Sequence, residues 1–464
     1  MQATRCKRRG RGDRASAFYR LKKASLCALE HSMVKNFIFN TLNLGHREKM
    51  QKLLILFFCF YFALSDDAVG AIRVGSEELL TDDYIHLLTG KKIGLITNHT
   101  AVTSQMVSTF DLLKKHAGSK GYTIQALFAP EHGIKGGTYA GEDVADDMHV
   151  EGIPIYSLHG KFQRPTDQML KNINLLIYDI QDIGSRAYTY VTTLFYVMEE
   201  AAKRKIPVMV LDRPNPINGL TVDGPMLQDK WRSFLGYINV PYCHGMTVGE
   251  LALFFNGEYD IGCKLEVIPM KGWRRWMNFA DTGLAWIPTS PNIPEPSTAL
   301  FYPTTGFMGE LTLVNIGIGY TLPFKLVGAP WIQAEKFAEA LNKQKFPGVH
   351  FEPFYYRPFY GKFAQEDCQG VLIVITKPNV FRPVTTQYMI LGILKSLYPS
   401  QFKEAIDATK GRKEMFCKAN GTEEVYKIMT EKKHIVWPLK MLHQKEREIF
   451  MGIRQKYLLS NYTD

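Results

Sequence analysis

Asn174-Leu175-Leu176-Ile177-Tyr178-Asp179-Ile180 is an almost unbroken apolar run, the pattern of a parallel strand covered on both faces. It breaks into Gln181-Asp182-Ile183-Gly184-Ser185-Arg186, and a helical run follows from about Tyr188 to Arg204. Pro207-Val208-Met209-Val210-Leu211-Asp212-Arg213 then reads as the next strand. Upstream, Lys92–Thr97, Thr123–Phe128 and Ile153–Ser157 have the same character, with a helix-like run from Phe110 to Lys115 between the first two. Strands alternating with helical runs predict right-handed βαβ units and an open parallel sheet.

After the Asp212 strand the pattern loosens. Thr247 with Glu250 three residues on predicts a capping box opening a helix. The proline-rich run from Pro288 to Pro303 reads as a long functional loop. A second unit is expected from about Ile332: a helix to Asn342, strands near Val349–Tyr355 and Gly370–Thr376, a helix over Thr385–Leu397, and a terminal helix around Leu442–Leu458.

The formal charge of +11 on 464 residues suggests nucleic-acid binding until it is located. Residues 1–71 hold 13 Lys/Arg against 5 Asp/Glu, leaving +3 for the rest, so nucleic acid is not an expected partner. Within that stretch Met50-Gln51-Lys52 precedes a 12-residue apolar run, Leu53 to Leu64, with small residues near Ser65 and Ala71. This is the layout of a secretory signal, too short to leave a stable membrane span, with Met50 the expected initiator. The division is therefore 1–71 leader, 72–331 first domain and 332–464 second domain. Four cysteines follow the leader, Cys243, Cys263, Cys368 and Cys417; two disulfides are possible in an exported protein, and their pairing is not deducible.

In an open α/β sheet, ligands bind beyond the carboxyl ends of the strands. Ala129-Pro130-Glu131-His132-Gly133 sits at such an end and leads into a glycine-rich loop, which makes Glu131 the first catalytic candidate. Other strand ends offer Asp179, Gln181, Asp182 and Arg186, then Asp212, Arg213 and Asn215; Asn98 and His99 can join them, as can His244. Paired carboxylates suit glycosidic bond cleavage, which needs one proton donor and one ionised group. The same set, with His99 and His132, would suit a metal-dependent hydrolase, and a cleft without turnover would make a glycan-binding module. Each polar residue also has a structural alternative: Asp179 and Asp212 as braces of the following turns, Arg186 and Arg213 as their ion-pair partners, Tyr188 as core.

The blocks Pro130-Glu131-His132-Gly133, Asp179 to Tyr190, Asp212-Arg213-Pro214-Asn215-Pro216, His244-Gly245-Met246-Thr247, Ser290-Pro291-Asn292 and Gly328-Ala329-Pro330-Trp331 resemble the DUF1343 family. That family includes exo-β-N-acetylmuramidases of glycoside hydrolase family 171. The resemblance implies an α/β fold: a Rossmann-like parallel sheet with helices on both faces, plus a smaller C-terminal α+β domain. It implies release of N-acetylmuramic acid from the non-reducing ends of peptidoglycan fragments. With the leader read above, the protein is expected to be secreted or periplasmic, and no cofactor or metal is expected. Glu131 carries over as the catalytic residue, expected to be the general acid, with Asp179 or Asp182 as second carboxylate or water-positioning group. Asn98, His132, Gln181, Arg186, Tyr188, Asp212, Arg213, Asn215, His244 and Asn292 are the expected substrate contacts, with Arg186 or Arg213 on the lactyl carboxylate. One block departs: where the family shows Ser-x-Gly-Arg-Gly-Thr, this chain has Asn315-Ile316-Gly317-Ile318-Gly319-Tyr320-Thr321, with Ile318 in the arginine position. Weaker grip on an anionic sugar is the expected consequence.

Overall fold

The computed structural model describes residues 72–138 and 148–463, so the expected leader lies outside the described residues. Its main sheet has seven strands: β1 (Lys92–Thr97), β2 (Thr123–Ala129), β3 (Met148–Val150), β4 (Ile153–Ser157), β5 (Leu175–Asp179), β6 (Val208–Leu211) and β7 (Leu265–Ile268). The spatial order is β3-β4-β2-β1-β5-β6-β7. All neighbours are parallel except β3, which lies antiparallel on the β4 edge. Without β3 this is the doubly wound dinucleotide-fold order, whose direction reverses between β1 and β5.

Alternate residues along each strand feed two cores. Ile93, Leu95, Leu127, Ala129, Leu175, Ile177, Met209 and Leu211 pack with Leu79 and Leu113 on one face. Ile96, Ala126, Phe128, Leu176, Tyr178, Val208 and Val210 pack with Leu194, Phe195, Leu251 and Phe255 on the other. Period-two side-chain direction with both faces covered is what makes the strands continuously apolar. On the first face lies helix Thr109–Lys120, opened by Ser108, whose hydroxyl accepts from Asp111 N–H, and closed by left-handed Gly121. On the second lie Tyr190–Lys203 and Val248–Glu258, the latter opened by the expected Thr247/Glu250 capping box.

One expectation fails. Thr298–Glu310 is a helix, not a continuation of the proline-rich loop, and Pro303 lies inside it. Burial of Ala299, Phe301, Phe307 and Met308 offsets the hydrogen bond that the proline cannot donate. Strand β7 is also absent from the sequence reading, because Leu265-Glu266-Val267-Ile268 is a four-residue edge strand whose apolar run is broken by exposed Glu266.

A second sheet, antiparallel in the order β8-β10-β9, comprises β8 (Leu326–Ala329), β9 (Val349–Tyr356) and β10 (Cys368–Ile375). Its first strand precedes residue 332, where the second unit was expected to begin. Helices Ala334–Asn342 and Pro383–Leu397 pack beside it, and a train of short helices ends in Gln444–Arg454. The tail returns to the first sheet: Tyr462 donates to Asp212 Oδ2 at 2.6 Å, and Arg454 donates to the carbonyls of His244 and Gly245. All four cysteines of the described residues are buried and free, so neither of the possible disulfides is formed. No described helix is long and apolar enough to cross a membrane.

Candidate active site

Beyond the carboxyl ends of the parallel strands lies a cavity of about 400 Å³, within the ~300–1,000 Å³ usual for small-molecule sites. Its wall takes Glu131 and His132 from the loop after β2, Ala187 to Thr189 from the turn before helix Tyr190–Lys203, and Ser290 to Ile293 from the proline-rich loop. The other side is Tyr302, Glu310, Val314, Asn315, Ile316, Ile318 and Phe324, closed by Gly361, Lys362 and Ala419. The site therefore needs segments from both sequence halves.

The Glu131 loop is sharply turned. His132 has φ 71°, in the left-handed region that non-glycine residues rarely adopt, and its Nδ1 lies 2.7 Å from the Thr138 carbonyl. At Gly136 a Cβ would fall 2.0 Å from His99 Cε1, so only glycine lets the loop pack on that ring. Thr189 Oγ1 donates to Glu131 Oε2 at 2.5 Å, and His159 Nε2 is 3.9 Å from Oε1. Tyr188 donates to Thr289 Oγ1 at 2.8 Å and stacks edge-on against Tyr190 and Tyr302, which makes it an aromatic wall of the cavity.

Of the expected site residues, Glu131, His132, Tyr188 and Asn292 are on this wall; the others stand outside it. Both oxygens of Asp179 are occupied: Arg213 grips them with Nε and Nη2, and Thr109 donates to Oδ2 at 2.5 Å. The remaining Arg213 nitrogen donates to the Val102 carbonyl, so Arg213 is not open to a ligand carboxylate. Asp182 accepts from Gly184 N–H at 2.7 Å, while burial raises its pKa to about 7 against that bond and the Ile183 amide. Asp212 accepts from Thr247, Tyr462 and the amides of Gly249 and Arg213; burial raises its pKa to about 7 even so.

Arg186 is a tie between sequence halves: it donates to the carbonyls of Pro225 and Val240 and to those of Ala419 and Asn420. Gln181 donates to the carbonyls of Asp182 and Pro214, Asn215 to that of Met246, and Asn98 Oδ1 accepts from Thr100. His244 is buried with its Nδ1 accepting from Met246 N–H, and burial, then the nearby Arg454 and Arg186 charges, lower its pKa to about 3. His99 is half-buried, with Nε2 at 2.7 Å from the Pro288 carbonyl. Among the described residues no three His, Cys, Asp or Glu side chains gather as a metal-ion site would require.

Glu310, Tyr302 and Lys362 are among the cavity residues that escaped the sequence reading. Glu310 ends a helix hidden beneath a proline run, Tyr302 lies in the same helix, and Lys362 sits in a Gly-Lys-Phe turn that has no motif. The departure at Ile318 proves to be part of the wall. Asn315 fixes that loop, donating to the carbonyls of Ile318 and Lys362 and accepting from Gly317 N–H. Gly317 and Gly319 both have positive φ, and a Cβ on either would meet a backbone oxygen at 2.0 or 1.9 Å.

A doubly wound sheet with carboxyl groups on a cavity beyond its strand ends defines an α/β enzyme of the hydrolase kind. Residues 93–297 match the family described as exo-β-N-acetylmuramidase NamZ, N-terminal, and residues 300–459 match its C-terminal counterpart. The chain belongs to this NamZ family, also known as DUF1343. Peptidoglycan β-N-acetylmuramidase NamZ of Bacillus subtilis (strain 168) is 42% identical over 333 residues, covering 72% of this chain and 79% of that protein. Two crystal structures of DUF1343 proteins from Bacteroides fragilis are similar. One is 39% identical with a TM-score of 0.77, covering 84% of this chain and 99% of that one; the other is 28% identical with a TM-score of 0.64, covering 85% and 99%. The two family matches meet just ahead of helix Thr298–Glu310, some thirty residues before the division read from sequence at 331/332.

Proposed function

We propose that the protein is a secreted exo-β-N-acetylmuramidase, releasing N-acetylmuramic acid from the non-reducing ends of peptidoglycan fragments. The carrying observation is Glu131, held by Thr189 on the wall of a cavity of small-ligand size. The relative from Bacillus subtilis, named for that activity, supports the choice of sugar. Purified protein should cleave a chromogenic muramic-acid glycoside in preference to the glucosamine equivalent. Equal rates on both would remove the muramic specificity, and no turnover of either would remove the reading.

A muramic substrate carries a lactyl carboxylate. Lys362 is the one lysine or arginine among the described residues of the wall, its ammonium resting 4.6 Å from the Phe363 ring centroid. It is assigned to that carboxylate, in place of Arg186 and Arg213. A charge-assisted hydrogen bond contributes about 1.5–3 kcal/mol, and at an exposed rim the lower figure applies, roughly tenfold in affinity. Lys362→Met should raise KM for muramic termini about that much and leave glucosamine termini unaffected, whereas Ile318→Arg should shift preference further toward muramic acid. A muramic-to-glucosamine ratio of kcat/KM that neither variant moves would sink the assignment.

Export rests on the apolar run after Met50-Gln51-Lys52. Amino-terminal sequencing of the exported protein should give a start at Asp66 or Ile72; a cytosolic product beginning at Met1 would contradict it.

A further inference from the structure

We propose that Glu310 is the proton donor of the reaction and that Glu131 is its ionised partner. The inference rests on the glycosidase reading above and reverses the role expected of Glu131. These are the only two carboxylic acids among the described wall residues. Tyr302 lines the same cavity as both.

Their surroundings differ. Glu131 accepts a hydrogen bond from Thr189 Oγ1 and has His159 Nε2 3.9 Å from its other oxygen. Glu310 is half-buried among cavity residues that include Val314, Ile316 and Phe324, and among the described residues nothing donates to its carboxyl group. Burial raises its pKa and outweighs the opposing Arg412 charge; Arg412 Nε itself donates to the Glu310 backbone carbonyl at 2.7 Å. Glu310 is also the last residue of helix Thr298–Glu310, where the negative end of the helix dipole disfavours a second negative charge. A half-buried carboxyl group with no donor of its own among the described residues, on the same cavity as a carboxyl group that accepts a hydrogen bond, is the pairing that general acid catalysis uses.

In the step, the Glu310 proton moves to the glycosidic oxygen as the C1–O bond breaks, and that oxygen keeps the bonding pair. A water oxygen bonds to C1 and gives its proton to the Glu131 carboxylate. One water is consumed and one bond hydrolysed; proton exchange with solvent restores both groups.

The test compares wild type with Glu310→Gln, each checked for an unchanged melting temperature, on whichever amino-sugar glycoside the wild type cleaves. With a natural sugar leaving group, kcat/KM should fall by roughly 10²–10⁴, and the alkaline limb of the pH profile should disappear. With an activated aryl leaving group, which departs without a proton, the loss should be less than about tenfold. Equal losses on both substrates, or a retained alkaline limb, would overturn the role. The wild-type-minus-variant infrared difference spectrum supplies a readout without turnover: a protonated carboxyl band near neutral pH that belongs to Glu310, since the bands of Asp182 and Asp212 are common to both proteins and cancel. A difference spectrum without that band also overturns the proposal. A wild type inactive on every glycoside but showing that band would fell the glycosidase reading alone.

Discussion

Glu131→Gln is expected to lower turnover by roughly 10²–10⁴ on a natural glycoside and by a similar factor on an activated aryl glycoside. The amide keeps the shape, so Thr189 retains a carbonyl oxygen to donate to, and the left-handed turn at His132 is untouched. What disappears is the negative charge and the site that takes a proton from the attacking water. Both are needed whatever the leaving group is, because positive charge develops at the anomeric carbon in either case. Steady-state kinetics on the two substrates decides the matter. A variant that loses the natural substrate but keeps the aryl one would return the role of acid to Glu131.

Arg213→Met is expected to destabilise the fold by about 3–5 kcal/mol, because it leaves the fully buried Asp179 carboxylate without its cation. Among the described residues only Thr109 would still donate to that carboxylate. Replacing both partners, Arg213→Met with Asp179→Leu, should recover much of the loss, since the pair itself contributes little beyond its desolvation cost. Urea unfolding of the wild type, both single variants and the double variant gives the coupling. Where the proteins are folded, kcat/KM should stay within a few fold of wild type. A well-folded Arg213→Met protein with turnover down a hundredfold would put Arg213 on the substrate instead of under the sheet.

The strands of the first sheet were legible because each is buried on both faces, and burial on both faces writes itself as an uninterrupted apolar run. β1 and β4 have the limits read from sequence, and β2, β5 and β6 agree to within one or two residues. The Thr247/Glu250 box was legible for an equally local reason, since a capping box closes within one helical turn. Helix Thr298–Glu310 was hidden because its stability comes from tertiary burial of Phe301, Phe307 and Met308 around an internal proline. With that helix went Glu310.

At the site the sequence pointed to the residues at the strand ends, and Glu131 was singled out there by the glycine-rich loop after it and by the family resemblance. It could not tell a brace from a ligand contact. Asp179, Asp212, Arg186 and Arg213 are as chemically apt as Glu131, and their roles were settled by where their partners lie. Arg213 is 34 residues from Asp179, Asn420 is 234 from Arg186 and Tyr462 is 250 from Asp212. Local chemistry leaves a signature in the chain; which buried charge is neutralised, and by what, depends on segments that only the folded C-terminal half brings within hydrogen-bond reach.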